Sequence, residues 1–171
     1  MKRAYILLAV LVLAAGCGDS DTAPATDDNR AQYTATLLTA NEVPPIPNAA
    51  EAGASGMAHI DFNLTKDAAG AITAANIHFR VDLTGFPATS AITAAHIHTG
   101  AAGVMGAVLV NTTVAPGQVT LTGGVGTFSR LTIVVDPATA QSIINNPAGF
   151  YFNVHTAANT GGVIRGQLVP I

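Results

Sequence analysis

The chain has 171 residues and a formal charge of −3, with seventeen glycines, nine prolines, one cysteine and no tryptophan. That length suits a single domain whose core needs no staples, and one cysteine excludes an internal disulfide. From residue 31 onward four basic residues face six acidic ones, a net of −2, so no basic patch exists to displace counterions and nucleic acid is not an expected partner.

Met1-Lys2-Arg3 is a basic start, and residues 4–14 form an apolar run too short to span a bilayer. Leu13-Ala14-Ala15-Gly16-Cys17 then closes a secretory signal. The cysteine after small residues resembles the bacterial lipobox, which implies that residues 1–16 are a lipoprotein signal peptide and that Cys17 is lipidated. Acyl chains contribute about 0.8 kcal/mol per buried methylene, so several chains anchor stably where one does not. Residues 17–30 carry Asp19, Asp21, Asp27 and Asp28 among small polar residues and Pro24. That composition builds no core and reads as a flexible tether. The expectation is a folded domain over residues 31–171, held outside the cytoplasm at a bacterial cell envelope, on the outer membrane or the periplasmic face.

Residues 32–38 alternate Tyr33, Ala35 and Leu37 against polar neighbours, a strand signal. Asn41-Glu42-Val43-Pro44-Pro45 interrupts it. Residues 56–64 place Ala58, Ile60, Phe62 and Leu64 on one face; residues 72–83 do the same with Ala75, Ile77, Phe79, Val81 and Leu83. The turn at Lys66-Asp67-Ala68-Ala69-Gly70 makes these two a hairpin. Strands follow at 92–98, 107–110 and 127–135, with some β character at 119–121. Asp136 as cap and Pro137 in the first turn predict a short helix over 136–144, with Ala140, Ile143 and Ile144 on one face. Residues 150–155 set Phe150, Phe152 and Val154 against Tyr151, Asn153 and His155; a last strand over 163–169 sets Ile164 and Leu168 against Val163, Arg165 and Gln167. About eight short strands and one short helix predict an all-β fold, an antiparallel Greek-key sandwich or barrel.

His96 and His98 share one strand face, with attachment points about 6.6 Å apart. Two imidazoles at that spacing chelate one ion, and His155 is the natural third ligand; three imidazoles suit copper or zinc. The alternative is that the histidines bond backbone carbonyls and pin two similar glycine loops. Tyr151, Asn153 and Arg165 are candidates to orient the ligands or pin the loops, with anion steering a further role for Arg165. His59 and His78 read as solvated residues of the hairpin. Gly100, Gly103 and Gly106 precede no helix, so they are not a dinucleotide fingerprint. No nucleophile or zinc-protease motif is present. Asn63-Leu64-Thr65 and Asn111-Thr112-Thr113 match the glycosylation sequon, a chance match beside a lipobox.

Four ordered stretches carry a family resemblance: Ala35 to Pro45, Ala95 to Gly106, Tyr151 to Thr156, and Gly161 to Leu168. Together they resemble the CHRD domain, named for chordin, an extracellular antagonist of bone morphogenetic proteins, and also found singly in bacterial secreted proteins. The resemblance implies a β-sandwich outside the cytoplasm and, in animals, protein binding; it implies no defined reaction. A second resemblance is to the copper–zinc superoxide dismutases, which also combine a β-sandwich, a His-x-His strand that supplies copper, and a later Val-His. His96, His98 and His155 fall on those positions. No bridging histidine, zinc-ligand cluster or disulfide accompanies them, which argues against dismutase activity and leaves a mononuclear copper site. The fold expected is therefore immunoglobulin-like or superoxide-dismutase-like. Two functions stand side by side: a non-enzymatic binding or structural module with an envelope or extracellular protein partner, and a copper-binding, redox-capable envelope protein.

Overall fold

A computed structural model describes residues 27–171. The expected signal peptide, Cys17 and all but the last four residues of the expected tether lie outside the described residues.

Nine strands and one helix follow in order: β1 (Arg30–Leu38), β2 (Ser55–Lys66), β3 (Ile72–Thr84), β4 (Ile92–Thr99), β5 (Val108–Asn111), β6 (Gly126–Val135), α1 (Pro137–Asn145), β7 (Phe150–Thr156), β8 (Ile164–Gln167) and β9 (Val169–Pro170). All pairings are antiparallel, and the sheet runs β5-β4-β7-β8-β1-β2-β3-β6 with β9 on β1. Curled on itself, this sheet is a nearly closed barrel. β3 pairs β6 and β4 pairs β7, each skipping two intervening strands, so the connections are of the Greek-key kind. The open seam lies between β5 and β6, where Leu109, Val110, Thr132, Ile133 and Val134 line a cavity of about 450 Å³.

Alternation decides which face turns inward. Tyr33, Ala35 and Leu37 of β1, Ala58, Ile60 and Phe62 of β2, and Ile77, Phe79 and Val81 of β3 are all buried. Phe79 meets Phe152 across the barrel at 5.7 Å between ring centroids. Asp136 caps α1 by accepting from the Thr139 N–H at 2.9 Å, and Ala140 and Ile143 close one end of the core, with Ile144 half-buried beside them.

Three local expectations need correction. Residues 119–121 form no strand: the turn at Gly123 and Gly124, closed by a bridge between Thr122 and Val125, leaves Val119 buried in an irregular segment. The last strand is two strands, interrupted at Leu168, which donates to Phe150 O; β8 pairs both β7 and β1, and Val169 pairs Thr34 of β1. Val163, expected opposite Ile164, is fully buried in the same core. It precedes β8 and is held by its own N–H on Val154 O, so strand alternation does not govern it.

Every residue of β7 is buried. Phe150, Phe152 and Val154 face the core; Tyr151, Asn153 and His155 face outward yet are covered. The cover is made of two loops, residues 100–107 after β4 and 157–163 after β7.

Candidate metal centre

The β4–β7 register places Ala94 opposite His155, His96 opposite Asn153 and His98 opposite Tyr151. On the outer face, His96 and His155 are thus diagonal neighbours, within reach of long side chains. Their nitrogens meet: His96 Nδ1 lies 3.2 Å from His155 Nε2. The ring centroids of His96 and His98 are 5.5 Å apart, those of His98 and His155 5.9 Å. One nitrogen from each of the three lies within 4.8 Å of the others.

The other nitrogens fix the tautomers. A carbonyl only accepts, so His98 Nδ1–H donates to Gly106 O at 3.1 Å and His155 Nδ1–H donates to Thr160 O at 3.0 Å. Both Nε2 atoms are therefore bare lone pairs. His155 Nε2 receives the His96 Nδ1–H, whereas His98 Nε2 is buried with no partner. A buried nitrogen without a partner is costly and asks for an explanation. Two ligands of one tetrahedral ion with bonds of about 2.0–2.1 Å sit about 3.3 Å apart, close to the His96–His155 separation. The donor set therefore fits a metal ion, and carbonyls on the remote nitrogens are the usual way to orient such rings. Loop pinning and ligation, set against each other in the sequence, are compatible here because an imidazole has two nitrogens.

All three imidazoles are held neutral. Burial, then the His155 and His98 rings, push His96 down to about 4. Burial lowers His98 and His155 as well, against the pull of their carbonyls. Neutral imidazole is the ligating form. His96 is half-buried while His98 and His155 are 7% and 9% exposed, so the cluster opens to solvent on the His96 side.

The other residues singled out by the sequence surround this cluster. Tyr151 stacks on His98, with centroids 4.9 Å apart and planes 9° apart, and its hydroxyl accepts from Gly106 N. The Arg165 guanidinium sits 3.6 Å from the centre of the Tyr151 ring. One ring face cannot accommodate both, so Tyr151 is sandwiched between arginine and histidine. Arg165 also donates to Val104 O at 2.9 Å and Ala101 O at 3.4 Å, and at 1% exposure it is closed to a solvent anion. Asn153 binds the Glu42 carboxylate; burial raises that carboxyl to about 7 against the opposing pulls of Arg165 and Asn153. His59 and His78 sit half-buried on the outer face of the β2–β3 hairpin and do not join the cluster.

Glu42 and Glu51 carry roles that the sequence did not single out. Glu51 is 2% exposed and accepts from Ser90 Oγ, Thr156 Oγ1 and Asn159 Nδ2. Asn159 in turn accepts from Asn48 N at 3.0 Å. This network fixes the 157–163 loop, and with it the Thr160 carbonyl that orients His155.

A family model, the CHRD domain, matches residues 33–168. The chain belongs to the CHRD domain family. No curated protein and no solved structure matches it, so the likeness to superoxide dismutases remains one of motif. Within the CHRD domain the matched stretch holds the three histidines, both covering loops and both buried glutamates.

Proposed function

We propose that this CHRD protein holds a single copper ion through His96 Nδ1, His98 Nε2 and His155 Nε2, as a non-enzymatic module tethered outside the cytoplasm by lipid on Cys17. The observation that carries the metal reading is the buried, unpartnered His98 Nε2 beside the 3.2 Å pair of His96 and His155. Copper is favoured over oxygen-seeking cations by an all-imidazole donor set, with zinc the competing ion. The lipobox at Leu13–Cys17 supports the anchor, and the acidic, patch-free domain suits an envelope or extracellular partner rather than nucleic acid.

Calorimetric titration of the full chain in detergent with copper and with zinc tests this reading. One ion per chain is expected, with binding weakened at least about a hundredfold in each of His96→Ala, His98→Ala and His155→Ala. Absence of binding, or binding indifferent to these variants, would leave the imidazoles as loop pins only. For the anchor, metabolic labelling with a fatty acid should mark the wild type and not Cys17→Ser.

A further inference from the structure

Given the metal reading above, we infer that Arg165 makes the centre selective for monovalent copper. Three neutral imidazoles bring no negative charge to the ion, and no carboxylate or thiolate joins the group among the described residues. The full charge of the metal is therefore felt by its surroundings. A buried cation lies close by: Arg165, 1% exposed, sits on the Tyr151 ring that in turn stacks on His98.

Little offsets that cation. Its hydrogen bonds go to the neutral carbonyls of Ala101 and Val104. Glu42 is the acid that faces it, and desolvation keeps this carboxyl partly protonated near neutrality. Glu51, the other buried acid, binds Thr156, which by strand alternation lies on the opposite face of β7 from His155. A divalent ion thus meets one more unit of repulsion from Arg165 than a monovalent ion does. At an effective dielectric constant of about 20 and a separation on the order of 9 Å, that unit is worth on the order of twentyfold in affinity. Arg165 is here a specificity-determining residue that acts through the Tyr151–His98 stack without touching the ion.

The test compares affinities of the full chain in detergent for Cu(I), measured anaerobically against a competing chelator, and for Cu(II) and Zn(II). The wild type should bind Cu(I) more tightly than either divalent ion. Arg165→Gln should narrow the Cu(I)/Cu(II) ratio at least about tenfold, a fall of about 59 mV in the one-electron midpoint. Arg165→Lys keeps the charge and loses the planar fork, so it should hold the ratio near the wild-type value. A purely structural role predicts that the two substitutions act alike, and that result overturns the inference. Should Arg165→Gln fail to fold, the wild type alone decides, because equal affinity for Cu(I) and Cu(II) also overturns it. Copper bound without preference refutes this inference and leaves the metal reading standing; no ion bound in either state refutes both.

Discussion

At the scale of single residues, Glu42 and Glu51 show how surroundings divide two buried carboxylates. Glu51 receives three side-chain donors. Glu42 receives the Asn153 amide and keeps one buried oxygen, Oε1, without a partner, as Asn153 keeps Oδ1. Glu51→Ala strands three donors, so it should cost about 3 kcal/mol of stability, given about 1–3 kcal/mol for each group left unsatisfied. Urea denaturation of the variant checks this; a loss below about 1 kcal/mol would mean that water or new partners replace the carboxylate. Neither glutamate was legible in the sequence. Both sit in the proline-rich connection between β1 and β2, where no periodicity tells which side chain turns inward. The histidines were legible because strand alternation fixes the face of His96, His98 and His155 before any contact is known.

At the scale of elements, the loop of residues 100–107 is held from outside itself. Arg165 and Gln167 of β8 bind the carbonyls of Gly100, Ala101 and Val104, and Tyr151 of β7 binds Gly106 N. Two glycines in this loop have opposite requirements. A Cβ on Gly106 would stand 1.7 Å from Thr99 O, whereas one on Gly103 meets nothing within 4 Å and is strained only by its positive φ of 77°. Gly106→Ala must therefore shift the carbonyl that orients His98. It should weaken metal binding about 10–100-fold, as loss of a ligand's orienting partner does. Gly103→Ala should cost about 1 kcal/mol of stability and leave metal affinity unchanged. Equal affinity in the two variants would show that the Gly106 contact does not orient the ring. The sequence made the strands and the capped helix legible through period and cap chemistry. It misled at residues 119–121 and at Val163, where loop hydrogen bonds, not a ladder, place the side chain.

At the scale of the whole molecule, two sets of buried groups oppose each other across one pH window. His96, with a folded value of about 4 against an ordinary 6.5, stays neutral in the native state while the unfolded chain binds a proton. Stability therefore rises with pH between about 4 and 6.5, by at most about 1.4 kcal/mol per pH unit for such a group, and less for the half-buried His96. The lowered His98 and His155 act with the same sign. Glu42, raised from 4.5 to about 7, does the reverse: the native state holds a proton that the unfolded chain releases, so stability falls as pH rises from 4.5 to about 7. The three imidazoles therefore oppose the single carboxyl across this window. The acid-side response of the metal-free chain is the difference between these opposing slopes, so it should be shallower than the histidines alone would give. Glu42→Gln should steepen the rise of stability with pH between 4.5 and about 7, while His96→Gln should flatten it. Denaturant midpoints of the three chains between pH 4.5 and 8 decide the matter. If the profiles run parallel, these groups do not set the pH response. The proposed metal would stabilise only the native state and would need three unprotonated ligand nitrogens, so the same profile would mark where protons begin to compete with it. With His96 held near 4, that competition at the His96 ligand should begin well below the range in which an ordinary histidine site empties.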